Sequence, residues 1–231
     1  MVEGIQHFLD HFNDPRAIAR YADGPRRFVP GMDALHRMTG LLLAERAPAN
    51  AHILVVGAGG GLELKAMAAA YRGWRFTGVD PARPMLDLAA QVLGNESERA
   101  ELIEGYIDDA PTGPFDGATC LLTLHFLARE ERIRTASEIR ARLKPGAPFV
   151  AAHGSFPQGA GERDRWLDRY AAYAIASGGD PEQVAKGLQA VADHVAMMSP
   201  ADDEAVLREA GFAGVEQFYA AFTWRGWVGY A

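Results

Sequence analysis

Between residues 52 and 153 short apolar runs alternate with stretches whose apolar residues recur every three or four positions. The runs are "HILVVG" (52–57), "RFTGVD" (75–80), "AELIEGY" (100–106), "DGATCLLTL" (116–124) and "APFVAAH" (147–153). Apolar runs of this length, bounded by Gly, Pro and Asp, predict strands. The first is followed by Leu64, Met67, Ala68 and Tyr71, the second by Met85, Leu88, Ala89 and Val92, and the fourth by Ile133, Ala136, Arg140 and Leu143. Each set falls on one face of a helix, and Lys144-Pro145-Gly146 closes the last. Strands and helices taking turns predict βαβ units, hence a doubly wound, mostly parallel α/β sheet covered on both faces. In such a sheet the ligand crevice lies at the carboxyl ends of the strands.

The flanks follow other patterns. Residues 1–49 read as an N-terminal helical cap segment, in which Leu35, Met38, Thr39 and Leu42 share a face and Asp33 is a candidate N-cap. Residues 154–198 interrupt the alternation with two helices, the second starting at Asp180-Pro181-Glu182 with Asp as cap and Pro at the first helical position. This span reads as an inserted helical lid between strands 5 and 6. A helix from Ser199-Pro200 and the aromatic, β-branched tail "GVEQFYAAFTWRGWVGYA" return the chain to the sheet edge as two more strands, seven in all. The ligand-binding domain is therefore expected over residues 50–153 and 199–231.

The corner after the first strand is Gly57-Ala58-Gly59-Gly60-Gly61. Glycines at Gly57, Gly59 and Gly61 permit a tight turn and close approach of a ligand to the main chain. A dinucleotide fingerprint counted from Gly57 would place its last small residue at Leu62, which is large. Asp80, at the end of the second strand, has the spacing of an acid that binds a ribose and fits a dinucleotide or another nucleoside cofactor equally well. An NAD(P)-dependent oxidoreductase and a non-catalytic cofactor-binding module thus stand as alternatives.

Composition narrows the partners. A formal charge of −7 over 231 residues argues against nucleic acid, whose binding needs a clustered basic face. Cys120 is the single cysteine, so no internal disulfide forms, and no apolar run approaches the ~20 residues of a membrane span. The acidic start "MVEGIQHFLDHFND" lacks the order of a signal peptide, and a cytoplasmic location is expected. The seven histidines are scattered without metal-ligand spacing, so no metal is expected. Oligomeric state is left open, with a homodimer as one option.

"VVGAGGG", "FTGVDPARPMLDLA", "LIEGYIDDAP", "FDGATCLLTLHFL" and "LKPGAPFVAAH" succeed one another as do the motifs of the class I S-adenosylmethionine-dependent methyltransferases, which the chain resembles over most of 50–153 and the tail. The resemblance implies a Rossmann-like methyltransferase fold, S-adenosyl-L-methionine as cofactor and methyl transfer to a small-molecule acceptor. It places Gly57, Ala58, Gly59 and Gly61 at the methionine part of the cofactor, Asp80 on both ribose hydroxyls, and Pro81, Tyr106, Ile107, Asp108 and Leu122 around the rest of the nucleoside. A carboxylate suits the ribose because it accepts from two neighbouring hydroxyls at once. Two departures stand out: Val55 replaces an acid common before the first motif glycine, and Tyr106 replaces the usual acid of the third loop. Among branches of the family, the carboxy-S-adenosylmethionine synthases share "VPG", "LTLHFL" and "EAGF". Their Tyr, Asn and Arg for the extra carboxylate align with Met32, Leu121 and Val206, which implies a methyltransferase rather than a synthase.

Methyl transfer from a sulfonium needs alignment more than covalent help, and a base only where the acceptor must lose a proton. His125, just after the fourth strand, is the candidate base. His153, ending the fifth strand, and Arg225 in "TWRGW" are candidate acceptor-binding residues. Each has an equally simple structural reading: His as a hydrogen-bonding core residue, Arg stacked on Trp224 or Trp227.

Overall fold

The computed structural model describes residues 24–231. A short helix, α1 (Gly24–Phe28), leads into α2 (Met32–Ala44), and the alternation then runs β1 (His52–Val56), α3 (Leu62–Ala70), β2 (Arg75–Asp80), α4 (Arg83–Leu93), β3 (Ala100–Glu104), β4 (Gly117–Leu121), α5 (Arg129–Ala141) and β5 (Pro148–Gly154). Two inserted helices, α6 (Glu162–Ala176) and α7 (Pro181–His194), precede α8 (Pro200–Glu209), β6 (Ala213–Ala221) and β7 (Trp224–Tyr230). The expectation of helix before residue 24 lies outside the described residues.

The seven strands form one sheet in the order β3-β2-β1-β4-β5-β7-β6. β1 to β5 pair in parallel, with Val56 opposite Val79 and Val55 opposite Thr119, while β7 runs antiparallel to both β5 and β6. The doubly wound, mostly parallel seven-stranded fold with helices inserted between β5 and β6 is the one the hydrophobic pattern predicts, and β6 is the edge. Strand order reverses direction between β1 and β4, so the crevice of an open α/β sheet opens there.

Alternate residues of each strand serve the two faces. Ile53 and Val55 join Leu35 and Leu43 of α2, Leu64 and Met67 of α3 and Leu86 of α4 on one side. Leu54 and Val56 join Ala136 and Ile139 of α5, Leu207 of α8 and Trp227 on the other. At about 25 cal/mol per Å² of apolar surface, these two layers supply the main favourable term of folding.

Local signals set several boundaries. The Asp180 carboxylate accepts the Gln183 N–H at 3.0 Å, and the Ser199 hydroxyl accepts the Asp202 N–H at 3.2 Å, with Pro at the first helical position in both cases. Asp33 is not the cap of α2. That position belongs to Gly31, whose left-handed φ of 70° starts the helix, and Asp33 pairs with Arg26 at 3.0 Å instead.

The buried faces also turn from those the periodicity predicts. In α2 the stripe is Met32, Leu35, His36, Thr39, Gly40 and Leu43, with Leu42 half-buried. In α4 Leu86 and Leu93 replace Leu88 and Val92. In α5 Arg132, Thr135 and Ile139 replace Ile133 and Arg140, because Arg132 finds a buried carboxylate on α8, a partner no local pattern reveals.

The segment before α2 is tied to the far end of the sheet. Tyr219 O–H donates to the Pro30 carbonyl at 2.5 Å and Trp224 Nε1–H to that of Phe28 at 2.8 Å. Phe28 stacks on Tyr170 of α6, ring centroids 5.7 Å apart, so α1, the inserted helices and the β6–β7 hairpin meet. No helix among the described residues is long and apolar enough to cross a membrane.

Candidate functional site

A cavity of about 470 Å³ opens along the carboxyl ends of β3, β2, β1 and β4, where the strand order predicts the crevice. Gly57, Ala58, Gly59, Asp80, Pro81, Tyr106, Ile107, Asp108 and Leu122 all line it.

The glycine corner is built by two demands. Gly57 and Ala58 both donate to the Val79 carbonyl, at 2.8 and 3.1 Å, which folds the end of β1 onto β2. At Gly57 the backbone is left-handed, φ 74°, and a Cβ there would stand 2.1 Å from Thr123 Oγ1. Gly61, φ 77°, caps α3, and its Cβ would stand 2.8 Å from the Ala89 Cα of α4. At these two positions the lack of a side chain serves packing of protein on protein, and Gly61 does not line the cavity. The ligand-facing role therefore falls to Gly57, Ala58 and Gly59.

Asp80 ends β2 as an organised acceptor. Its Oδ2 takes the Gly59 N–H and its Oδ1 the Ala82 N–H, both at 2.9 Å. Burial pushes this carboxyl above its ordinary pKa, and the two amides offset part of the shift. Each oxygen keeps a lone pair for a further donor.

The third loop is arranged differently from what its acids suggest. Asp109 turns back to accept the Tyr106 N–H at 2.8 Å and closes the short 3-10 turn Ile107–Asp109. Asp108 is gripped by Arg134 of α5, each carboxylate oxygen 3.0 Å from the same guanidinium nitrogen. Both acids have partners in the protein. What faces the cavity is Ile107 and the half-exposed Tyr106 ring, with Pro81 and Met85 also in the lining. Leu122, after β4, lines the cavity with a left-handed φ of 57°. This is a conformation worth about 1–3 kcal/mol of strain in a residue other than Gly, and such positions cluster at binding sites.

Glu63 and His36, which carry no role in the sequence reading, also line the cavity, as does Met32. Glu63, in the first turn of α3, is buried and accepts a hydrogen bond from the Thr119 hydroxyl of β4 at 2.5 Å. Burial raises its pKa to about 8, against the pull of that hydrogen bond. His36 and Met32 enter from α2, and burial lowers the His36 pKa to about 4, so its ring is neutral at pH 7. An acid two positions into a helix reads from sequence as an ordinary first-turn residue, and only the fold turns it inward. The remaining charged residues of the lining are Asp80, Asp108, Glu131 and Arg134, and Arg134 pairs with Glu131 as well as Asp108.

His125, His153 and Arg225 do not line this cavity. His125 and His153 are buried with ring centroids 6.4 Å apart, beside Trp224 and Trp227. His153 Nε2 lies 3.1 Å from Asp203 Oδ1, which Arg132 holds at 2.5 Å from the other side. Arg132 also donates to the carbonyls of Leu127, His125 and Ala196. Burial pushes the Asp203 carboxyl up, and His153 and Arg132 together more than reverse that. Burial, with the facing His153 and Arg132, holds His125 well below the ordinary imidazole range. A separate cavity of about 30 Å³ lies between His125, Trp224 and the inserted helices. Arg225, opposite His153 in the β5–β7 ladder, donates to the carbonyls of Phe222 and Trp224 and stands over Trp166 at 5.6 Å.

Comparison with known proteins agrees with the fold. Residues 53–146 match the family model described as a methyltransferase domain. The carboxy-S-adenosyl-L-methionine synthase of Chromohalobacter salexigens is 26% identical over 210 residues, covering 89% of this chain and 78% of that protein. The synthase of the same name from Wolinella succinogenes is 29% identical over 176 residues, covering 74% and 68%. Among solved structures, PigF with SAH superposes with a TM-score of 0.68 at 19% identity, covering 96% of this chain and 61% of PigF. Human N-acetylserotonin methyltransferase in complex with SAM gives 0.59 at 17%, covering 99% and 64%. The chain spans about three fifths of the length of these two structures, and at such identities they share its fold.

Proposed function

We propose, on the premise that the chain carries a class I S-adenosylmethionine-dependent methyltransferase domain, that it transfers a methyl group to a small-molecule acceptor. The observation that carries this reading is the charge of the cavity wall. Glu63, Asp80, Asp108 and Glu131 contribute carboxyls, and among the described lining residues the basic ones are Arg134, already paired with two acids, and His36, neutral at pH 7. Such a wall suits a cofactor bearing a sulfonium cation. It offers no unpaired cation to the second carboxylate of a carboxylated cofactor. Met32 and Leu121, at two of the positions where the synthases carry polar groups, line the cavity with apolar side chains, and Val206 is buried in α8.

The chemistry of the donor set fits the cofactor. Asp80 has acceptors for both ribose hydroxyls, Pro81, Met85, Tyr106 and Ile107 offer apolar walls to adenine, and Gly59 leaves main chain facing the ligand. Bound S-adenosylmethionine supplies an electrophilic methyl group. The chain's part is to hold the donor, line up the acceptor and keep water out, and alignment of this kind yields much of the rate. His36 accepts a hydrogen bond from an acceptor group, but its low pKa makes it a weak base. A small acceptor agrees with the names of neighbours such as N-acetylserotonin methyltransferase.

Calorimetric titration tests the reading. S-adenosylmethionine should bind with micromolar affinity, about −8 kcal/mol, and at least tenfold more tightly than its carboxylated form. Equal or tighter binding of the carboxylated cofactor would overturn it.

A further inference from the structure

We infer that Glu63 is the anionic anchor for the amino group at the amino-acid end of the cofactor. This rests on S-adenosylmethionine being the ligand of the cavity and adds to that reading a residue that reads its far end.

The strand order fixes the geometry. From β3 through β2 and β1 to β4 the rim presents Tyr106 and Ile107, then Asp80, then Ala58 and Gly59, then Leu121 and Leu122. Neighbouring strands stand about 4.8 Å apart, so a ligand whose sugar lies on Asp80 and whose base lies toward β3 extends its other end over β1 toward β4. Glu63 lines the cavity there. Its α3 starts at the glycine corner after β1, and its carboxyl is bonded to Thr119 of β4, which pairs with Val55 of β1.

Charge favours the same assignment. The Cys120 thiol on β4, whose pKa burial and Glu63 both raise, lies near Glu63, and the other ionisable side chains of the described cavity wall are His36, whose pKa is lowered to about 4, Asp80, Tyr106, Asp108, Glu131 and Arg134. Arg134 is held by Asp108 and Glu131, and among the described residues no cation acts on Glu63, whose shift comes from burial against the Thr119 hydrogen bond. A carboxyl lacking a counter-charge in a dry wall keeps its proton, and Glu63 holds its own up to a pH of about 8. An arriving ammonium group supplies the missing charge. Glu63 then ionises, its proton leaves to solvent, and the ammonium keeps all of its own.

The experiment is calorimetric titration of wild type and Glu63→Gln with S-adenosylhomocysteine and with 5′-methylthioadenosine, which lacks the amino-acid end, in two buffers of different ionisation enthalpy. Glutamine keeps the volume and an acceptor for Thr119. Wild type should release close to one proton on binding S-adenosylhomocysteine at pH 7, and its affinity should strengthen at least tenfold between pH 6 and 7.5. Glu63→Gln should weaken S-adenosylhomocysteine at least tenfold at pH 7.5, abolish the proton release, and leave 5′-methylthioadenosine within threefold. Thr119→Val, which removes the hydroxyl and keeps the carboxyl, should retain the proton release. Unchanged S-adenosylhomocysteine affinity in Glu63→Gln, or persistent proton release, would overturn the assignment. Failure of wild type to bind either compound would instead remove the cofactor reading beneath it.

Discussion

The rim cavity and the cluster beneath β5 both draw ionisable side chains out of water, yet they treat charge in opposite ways. In the cluster, Arg132 and Asp203 are fully buried, 2.5 Å apart, with His153 in contact and three backbone carbonyls completing the guanidinium's bonds. Cation meets anion within the protein. In the cavity Glu63 and Asp80 are held by a hydroxyl or by amides but have no cation partner among the described residues, and burial raises the pKa of both. A buried charge is tolerated only when compensated. The charges of the cluster are therefore compensated within the protein, even though His125 Nδ1, His153 Nδ1 and Asp203 Oδ2 have no hydrogen-bond partner there, whereas the carboxyls of the cavity wall are not. Buried titratable groups mark a site when their compensation is missing, and mark scaffold when it is present.

That contrast can be broken most forcefully in the cluster. Asp203→Ala leaves Arg132 buried without its anion and should cost about 3–5 kcal/mol, read from urea denaturation at pH 7, while cofactor affinity in the folded fraction stays near wild type. A stability loss under 1 kcal/mol would mean that the pair is not structural. The matching change in the cavity, Asp80→Ala, should weaken S-adenosylhomocysteine by about 1.5–3 kcal/mol in calorimetry and leave thermal stability nearly unchanged.

The pH response separates the regions by sign. The folded-state pKa of Glu63, about 8, lies above its ordinary 4.5, so the ligand-free fold binds a proton that the unfolded chain releases. Stability falls as pH rises through that window. Glu63→Gln should remove this slope and melt at least about 2 °C higher than wild type at pH 8. Asp203, with its pKa lowered, works the other way: its contribution is present above the ordinary carboxylate range and is lost as pH falls through the lowered value. The smallest effect is expected at Arg225, whose partners are two neighbouring carbonyls. Arg225→Ala should cost about 0.5–1.5 kcal/mol of stability and leave cofactor affinity unchanged, and a tenfold weakening would draw Arg225 back toward the site.

The sheet, its crevice and the positions of Ala58, Gly59, Asp80, Pro81, Tyr106, Ile107 and Leu122 were legible because each depends on local pattern: a strand, a turn, and a residue at the turn. His125 and His153 drew attention by the same logic, since one follows the end of β4 and the other stands at the end of β5. Their environment is decided by Asp203 and Arg132, which belong to helices separated from one another by 71 residues. Glu63 and His36 face the cavity for the converse reason. Helix periodicity sorts apolar from polar, and a polar residue on a buried stripe, such as His36 beside Leu35 and Thr39, looks like a break in the pattern until the cavity is seen. The adenine side shows a third limit. Asp108 reads as free from the sequence, and Arg134, 26 positions on, claims it.

The bonds from Tyr219 to Pro30 and from Trp224 to Phe28 span 189 and 196 positions of chain. They clamp the entrance of α2, which carries Met32 and His36 into the cavity wall. During synthesis those donors emerge from the ribosome long after the carbonyls they secure. The helix that carries Met32 and His36 packs on elements already made, but the two ties at its entrance can close only once β6 and β7 have followed.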